Sequence, residues 1–387
     1  MRFLLYSHDS WGLGHLRRSL TLADALTRLH PTAAVLIATG SPCATHFRLP
    51  ERCDVVKLPT VTKDDAGRYV ARDLPLAIDD LVGLRRRILL ETYRAWSPDV
   101  VVIDHRVTGL LDEALPVLEQ AGRDGVQRVL GLRDVVDAPE AVAREWGNER
   151  AAWALAEGYD EILVYGDRGV FDPRLEYGLP EAVARRVRFT GYLAREVDHL
   201  RRRSLPHRRP EVLVTLGGGG DGASRAHAIL DGVETAPTPW DTSIVLGPLM
   251  DAEVATTLER RARALRGVDI RRFEPDLMAR IADADLVVSM AGYNTTAELL
   301  ASGRPTLLLP RHTPRREQEI RARRLADRGA VTTLVDPSAL ELRAAIAGSL
   351  DRRPRPDFLP DLDGARRAAE HIGHLAGASS RVVAERN

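Results

Sequence analysis

A histidine placed where a glycine-bearing loop meets a helix is positioned to take a proton, and this chain has one at His15. The run Ser7-His8-Asp9-Ser10-Trp11-Gly12-Leu13-Gly14-His15 follows the apolar stretch Phe3–Ser7 and precedes a helix near Leu16 or Ser19. Gly12 and Gly14 allow a tight backbone or the close approach of a ligand. An imidazole at that edge accepts a proton from a hydroxyl near neutral pH, provided its second nitrogen is held by a partner. Asp104, directly after the apolar run Val100–Ile103, is a candidate for that role, and Asp9 is another. The competing reading is a half-buried histidine bonded only to loop backbone. Arg17 and Arg18 either meet an anionic ligand or face water.

A second set of residues suits phosphate and sugar. The stretch Asp283–Pro310, DADLVVSMAGYNTTAELLASGRPTLLLP, reads as strand, glycine-containing loop, helix start, glycine-ended turn and strand. In an open parallel sheet this puts Ser289 through Thr296, including Gly292, Asn294 and Thr295, at the carboxyl edge of the strands. A helix N-terminus there offers N–H groups and a positive dipole end to a phosphate. Thr295 and Glu298 also have capping-box spacing and could simply start the helix. Val212–Leu216 leads into Gly217-Gly218-Gly219-Gly220-Asp221-Gly222, dense enough in glycine to wrap a diphosphate with backbone donors. It lacks the Gly-Lys-Ser/Thr ending of a P-loop. Arg272 and Phe273 follow another strand and either line the site or are structural. Glu317 and Gln318 follow the run ending at Leu309; they could read sugar hydroxyls or belong to a charged helix face.

These residues need elements that carry them to one edge. Short apolar runs at Phe3–Ser7, Ala34–Ala38, Val100–Ile103, Arg128–Leu132 and Glu161–Tyr165 alternate with helical patterns at Ser19–Leu29, Leu84–Tyr93 and Ala138–Leu155. A second series follows at Glu211–Leu216, Thr242–Leu246, Val268–Arg272, Leu286–Ser289, Thr306–Leu309 and Val331–Leu334. Strands alternating with helices predict βα units and a mainly parallel sheet in each half. With 387 residues the chain is too long for one core. The expected division is a first α/β domain over 1–192, a charged linker over 193–210, a second α/β domain over 211–361, and a helix and frayed tail over 362–387. A final helix is expected from Ala365 to Leu375.

Composition narrows the function classes. Apolar residues make up 44% and charged residues 28%, as in a globular protein. Lys plus Arg and Asp plus Glu are equal at 55 each, which gives no support to nucleic-acid binding. Aromatic residues are too scattered for a base-stacking platform. Cys43 and Cys53 form neither a disulfide framework nor a zinc site, and no His or acidic spacing suggests a metal. The N-terminus turns polar too soon for a signal peptide, and no run is long enough to cross a bilayer, so a cytoplasmic location is expected.

Taken together, SHDSWGLGHLRR at 7–18, VRFTGYLAR at 187–195, VLVTLGGGG at 212–220, the 283–310 stretch and REQEIRARRLADRGA at 316–330 resemble the MurG-like branch of two-domain glycosyltransferases. The resemblance implies a GT-B fold: two Rossmann-like α/β domains facing each other across a cleft, the first binding the acceptor and the second a sugar nucleotide. It implies a UDP-sugar donor, inversion at the anomeric carbon and no required metal or other cofactor. It makes His15 the general base and Glu298 a ligand of the nucleotide ribose. Asn294, Thr295 and Thr296 would lie near the diphosphate with Gly218, Gly219 and Gly220; Glu317 and Gln318 would hold the donor sugar.

This sequence departs from the family pattern in several places. Gly219 and Gly220 stand where relatives commonly carry a small hydroxyl residue, and Glu317-Gln318 replaces a His-Gln pair. Met290, Tyr293 and Asn294 alter the later loop, and Arg17 and Arg18 are unlike the usual acceptor loop. The expected acceptor is a small-molecule or lipid-linked hydroxyl. Hydrolysis or epimerisation of the sugar nucleotide, and non-catalytic binding of it, are the alternatives. Leu84–Leu90 mixes arginine with apolar residues; it is either a helix packed on its own domain or a peripheral contact at the inner face of a membrane.

Overall fold

The computed structural model describes residues 1–8, 14–44, 47–64, 66–194, 209–350 and 358–384. The chain divides into two compact units, Met1–Leu193 with Asp361–Asn387, and Ala194–Pro360. Most of the expected linker, and with it Asp9 and Gly12 of the first loop, lies outside the described residues.

The first unit is built on a seven-stranded sheet whose strands all run parallel. Its strands are β1 (Arg2–Ser7), β2 (Ala34–Thr39), β3 (Cys53–Lys57), β6 (Val100–Asp104), β7 (Gln127–Arg133), β8 (Glu161–Tyr165) and β9 (Val187–Phe189). A separate antiparallel hairpin pairs β4 (Val61–Lys63) with β5 (Tyr69–Ala71). The second unit carries a six-stranded parallel sheet of β10 (Glu211–Thr215), β11 (Asp241–Val245), β12 (Val268–Arg271), β13 (Leu286–Ser289), β14 (Thr306–Leu308) and β15 (Thr332–Thr333).

Strand order decides where sites can form. The sheets run β3-β2-β1-β6-β7-β8-β9 and β12-β11-β10-β13-β14-β15. In each, the unit's first strand lies inside the sheet and the order reverses on either side of it. Right-handed crossovers then leave β1 towards one face and β6 towards the other, opening a crevice beyond their carboxyl ends. The same reversal falls between β10 and β13. Strands buried on both faces read as continuous apolar runs, which is why VVVID and LVVS were legible.

Two helical expectations need correction. Ala138–Leu155 is not one helix but Pro139–Trp146 and Glu149–Trp153 followed by a π-helical turn. The break falls at Gly147, and Asn148 restarts the chain by accepting a hydrogen bond from the Ala151 amide. The last helix spans Gly364–Ala384 rather than fraying after Leu375, and it packs on α1 (Gly14–Leu29) in the first unit. Gly373 faces the His30 ring there, where a Cβ would collide with it.

Segment Leu84–Leu90 lies in α2 (Ile78–Trp96), whose Leu81, Val82, Leu89 and Tyr93 are buried in the unit's own core. The packed-helix reading holds for this segment. Among the described residues, no helix is long and apolar enough to cross a membrane. Arg85, also on the inner face, is fully buried against a fully buried Glu113. Its Nε donates to Oε2 at 2.6 Å and Nη2 to Oε1 at 2.5 Å, while Tyr6 donates its hydroxyl proton to Oε1 at 2.5 Å. This network ties α2 to β1 and to the loop after β6. Removing one ion would leave the other uncompensated in a medium where burial of lone charge is costly. Arg85→Met is therefore expected to destabilise the protein by about 3–5 kcal/mol, and Arg85→Met/Glu113→Gln by less, as measured by urea unfolding. Equal losses for the single and double variants would show that Arg85 acts through packing alone.

Candidate active site

The first crevice brings together two side chains that are 89 positions apart. His15 sits in the first turn of α1, and Asp104 is the last residue of β6. Nδ1 of His15 lies 2.6 Å from Oδ2 of Asp104. Arg18, one turn further along α1, donates Nε to Oδ1 at 3.1 Å and Nη2 to Oδ2 at 2.6 Å. Its Nη2 is also 2.8 Å from His15 Nδ1. Two donors cannot share a proton, so the ionised carboxylate settles the arrangement: it accepts from Arg18 and from the Nδ1–H of His15. That tautomer leaves Nε2 with a lone pair, the state a general base needs.

Burial pushes the Asp104 carboxyl up, but the Arg18 guanidinium and the hydrogen bonds from His15 and Arg18 outweigh it and hold it at about 2. Arg18 is itself 3% exposed, so it neither faces water nor reaches a ligand freely. The sequence left its role open; only the packing of α1 against the end of β6 shows that it clamps the carboxylate.

Two more histidines complete the cluster. The His8 ring centroid is 3.9 Å from that of His15, and His105 is 5.5 Å from it. Both are buried, and burial holds each well below the usual histidine range. For His8 the nearby His15, Arg106, Arg18 and Arg133 reinforce this; for His105 Arg133 leads the same effect. They stay neutral beside His15. His105 also takes a left-handed backbone, φ 66°, and Arg133 Nη2 lies 3.0 Å from its Nε2. Sequence reasoning missed His105 and Arg133; only the position of each at the end of a parallel strand was a signal.

In the second unit the expected phosphate and sugar residues collect at the β10/β13 reversal. The helix Tyr293–Ser302 begins after Gly292, its N-cap, which has no side chain to offer the first-turn amides. Thr295 and Glu298 lie inside that helix, so they do not form its capping box. A Cβ on Gly292 would meet nothing within 4 Å, which leaves the approach to the helix end open. Thr295, Thr296 and Glu298 are buried and Asn294 is half-buried. Glu298 is 4% exposed, and burial of a carboxyl group is costly unless it is hydrogen-bonded or paired.

Glu317 and Gln318 open the helix Glu317–Asp327 and are joined to the other loops by Arg311. Arg311 donates Nη2 to Glu317 Oε1 at 2.8 Å and its amide to Gln318 Oε1 at 3.3 Å, and pairs with Asp221 of the glycine loop at 3.1 Å. Arg321, fully buried on the same helix, donates to the Ala291 carbonyl at 2.8 Å. The loops after β10, β13 and β14 are thereby held as one surface. The charged-helix-face reading of Glu317 and Gln318 fails, since both are buried.

The glycine loop has a second reason for its composition. Gly219 has φ 90°, and a Cβ there would lie 2.4 Å from the Leu246 carbonyl oxygen. The loop packs backbone to backbone on Gly247, with the Leu249 amide donating to the Gly218 carbonyl at 2.8 Å. The Arg272 guanidinium forks onto Glu259, Nε to Oε1 at 2.6 Å and Nη2 to Oε2 at 3.1 Å. The Arg272 carbonyl accepts at 3.0 Å from the amide of Gly247, the residue on which the glycine loop packs. The structure places the side chain of Arg272 on the carboxylate of Glu259. Phe273 is 58% exposed. Among the described residues no group of three His, Cys, Asp or Glu side chains is placed to hold a metal ion.

Residues 244–356 match the model of the glycosyltransferase family 28 C-terminal domain. The chain is 25% identical to the UDP-N-acetylglucosamine–N-acetylmuramyl-(pentapeptide) pyrophosphoryl-undecaprenol N-acetylglucosamine transferase of Acidothermus cellulolyticus, over 96% of this chain and 93% of the relative. It is 23% identical to the enzyme of that name from Alkaliphilus metalliredigens, over 88% and 89%. The fold is similar to that of Acinetobacter baumannii MurG, with TM-score 0.60, 14% identity and coverage of 98% and 99%. It is likewise similar to the calicheamicin glycosyltransferase CalG4, with TM-score 0.62, 18% identity and coverage of 97% and 98%. The architecture of two Rossmann-like units is thus the GT-B fold.

The carboxyl of Asp104 titrates at about 2 in the folded chain, against about 3.9 when unfolded. Its ionised form therefore contributes stability above about pH 4, on the order of 2–3 kcal/mol, and this is lost as pH falls through about 2. In urea unfolding across that range, the advantage of wild type over Asp104→Asn is expected to be full near neutrality and to close towards pH 2. A gap that stays constant with pH would remove the ionised carboxylate as its cause.

Proposed function

The chain belongs to the MurG-like branch of the GT-B glycosyltransferases, and from that premise we infer that His15 is the base of an inverting sugar transfer. The observation that carries this reading is the 2.6 Å contact between His15 Nδ1 and Asp104 at the reversal of the first sheet. His15 Nε2 takes the proton of an acceptor hydroxyl as that oxygen attacks the anomeric carbon of a nucleotide-bound sugar. The C1–O bond to the nucleotide diphosphate breaks as the new bond forms on the opposite face. Asp104 holds the ring and stabilises the imidazolium that results, so it is a positioning residue.

The first unit takes the acceptor and the second the donor. Amides of the Gly218–Gly220 loop and of the Tyr293–Ser302 helix start, with Asn294, Thr295 and Thr296, receive the departing diphosphate. These are fixed donors aimed at a developing charge. Glu298 accepts from the ribose hydroxyls, and Glu317 and Gln318 from those of the donor sugar. The names of the relatives favour UDP as the nucleotide. They also favour a lipid-linked acceptor, which would bring the protein to a membrane surface from the cytoplasmic side.

His15→Ala is expected to lower kcat for transfer by roughly 10²–10⁴-fold while calorimetric UDP binding persists. Activity close to wild type in that variant would assign the base elsewhere. Glu298→Ala is expected to weaken UDP-sugar binding by roughly 10–100-fold, with dTDP- and GDP-sugars binding less well than UDP-sugars to wild type. Undiminished binding in Glu298→Ala would sink the ribose contact.

A further inference from the structure

We propose that the first unit holds a separate subsite for a neutral, hydroxyl-rich ring, in the cavity of about 200 Å³ lined by Tyr69, Arg106, Thr108, Asp112, Glu145 and Trp146 among others. The proposal rests on the reading of that unit as the acceptor side, and adds where the acceptor ring sits and what chemistry it has. The cavity opens among loops that follow β6 and β7, the same sheet edge that carries His15 and Asp104. Arg106 stands two residues beyond Asp104 and is one of the cations that hold His8 neutral. The subsite is therefore next to the base.

Size and charge select the ligand. A volume of about 200 Å³ is below the roughly 300–1,000 Å³ of pockets that enclose drug-sized molecules. It suits one ring and not an acyl chain. Arg106 donates Nη1 to Glu145 Oε1 at 2.8 Å and approaches the Tyr69 hydroxyl at 3.3 Å, while Asp112 pairs with Arg150 at 2.6 Å. Each lining charge already has its counter-ion, so an ionic ligand finds no uncompensated charge to pair with. Neutral hydroxyls can instead add to these groups, since the carboxylates and the guanidinium keep further hydrogen-bonding capacity. Trp146 and Tyr69 add aromatic surface to the lining, against which the edge of a sugar or cyclitol ring can pack.

The wall is held in a costly backbone. Within residues 105–112, the non-glycine residues His105, Leu111 and Asp112 all take positive φ, at 66°, 48° and 64°. Gly109 has φ 75° and no room for a Cβ against Ala114. Such strain persists where surrounding structure imposes it, and it gathers at ligand sites. One chain segment thus both ends at the base's partner and shapes the cavity.

The test is saturation-transfer NMR on the full chain with methyl β-D-glucopyranoside and myo-inositol as neutral rings, and glucose 1-phosphate and glucosamine as charged counterparts. Transfer to a neutral ring is expected to exceed transfer to either charged compound. Its affinity is expected to weaken by about tenfold, the loss of roughly one good hydrogen bond, in Thr108→Trp, which fills the mouth, and in Glu145→Gln. Circular dichroism and thermal melting establish that each variant is folded. Absence of transfer to both neutral rings, preference for a charged one, or unchanged binding in both folded variants overturns the proposal. Octyl β-D-glucopyranoside, kept monomeric, separates the sources: tighter binding than the methyl glycoside marks a lipid-linked ring, equal binding a free one. Calorimetry with UDP on wild type tests the underlying reading by itself. UDP binding without ring binding defeats the subsite alone, whereas ring binding without UDP binding defeats the donor assignment.

Discussion

Each sheet reverses its strand order beside its own first strand, and the chemistry of the protein depends on that reversal. Parallel strands need crossovers, and crossovers of one hand cover the sheet except where neighbouring strands send theirs to opposite faces. Beyond β1 and β6 the uncovered edge receives the start of α1 and the loop after Asp104. Beyond β10 and β13 it receives the glycine loop and the helix Tyr293–Ser302. Loops placed there escape packing by helices and can keep polar groups turned to a ligand. Had β6 paired elsewhere in the sheet, His15 and Asp104 could not meet.

The same edge concentrates charge in two different ways. Asp104 is shared between Arg18 and His15, so a buried carboxylate stays ionised while the imidazole keeps a single tautomer. Arg18 stabilises the acid at the expense of its attraction for His15, and the neutral His8 and His105 add no competing charge. The Arg85–Glu113 pair is closed on itself by bidentate geometry and the Tyr6 hydroxyl. One arrangement leaves a nitrogen with work to do; the other leaves none and serves to lock α2 in place. Composition cannot separate the two, since both are an arginine beside an acid.

Legibility followed burial. Strands such as β6 and β13 are buried on both faces and declare themselves as unbroken apolar runs. β3, written Cys-Asp-Val-Val-Lys, is half exposed, and β9 has three residues; neither carries enough pattern to stand out. The hairpin of β4 and β5 is equally short. The helix after β7 was drawn too long because its period continues across Gly147 and Asn148, where the backbone stops. Thr295 and Glu298 showed how spacing misleads: they fit a capping box, yet the helix starts earlier, at Gly292.

By itself the sequence determined the two series of βα units, the glycine loops at strand ends and His15 at a loop–helix edge. Those are local matters, governed by hydrophobic period and by backbone freedom. Tertiary structure alone decided that Arg18 clamps Asp104, that Arg272 pairs with Glu259, that His105 joins the histidine cluster and that the segment after it walls a cavity. Each of these depends on which partner reaches a charged or polar group first. That competition is settled by distances between residues far apart in the chain, and strand order, not residue type, sets them.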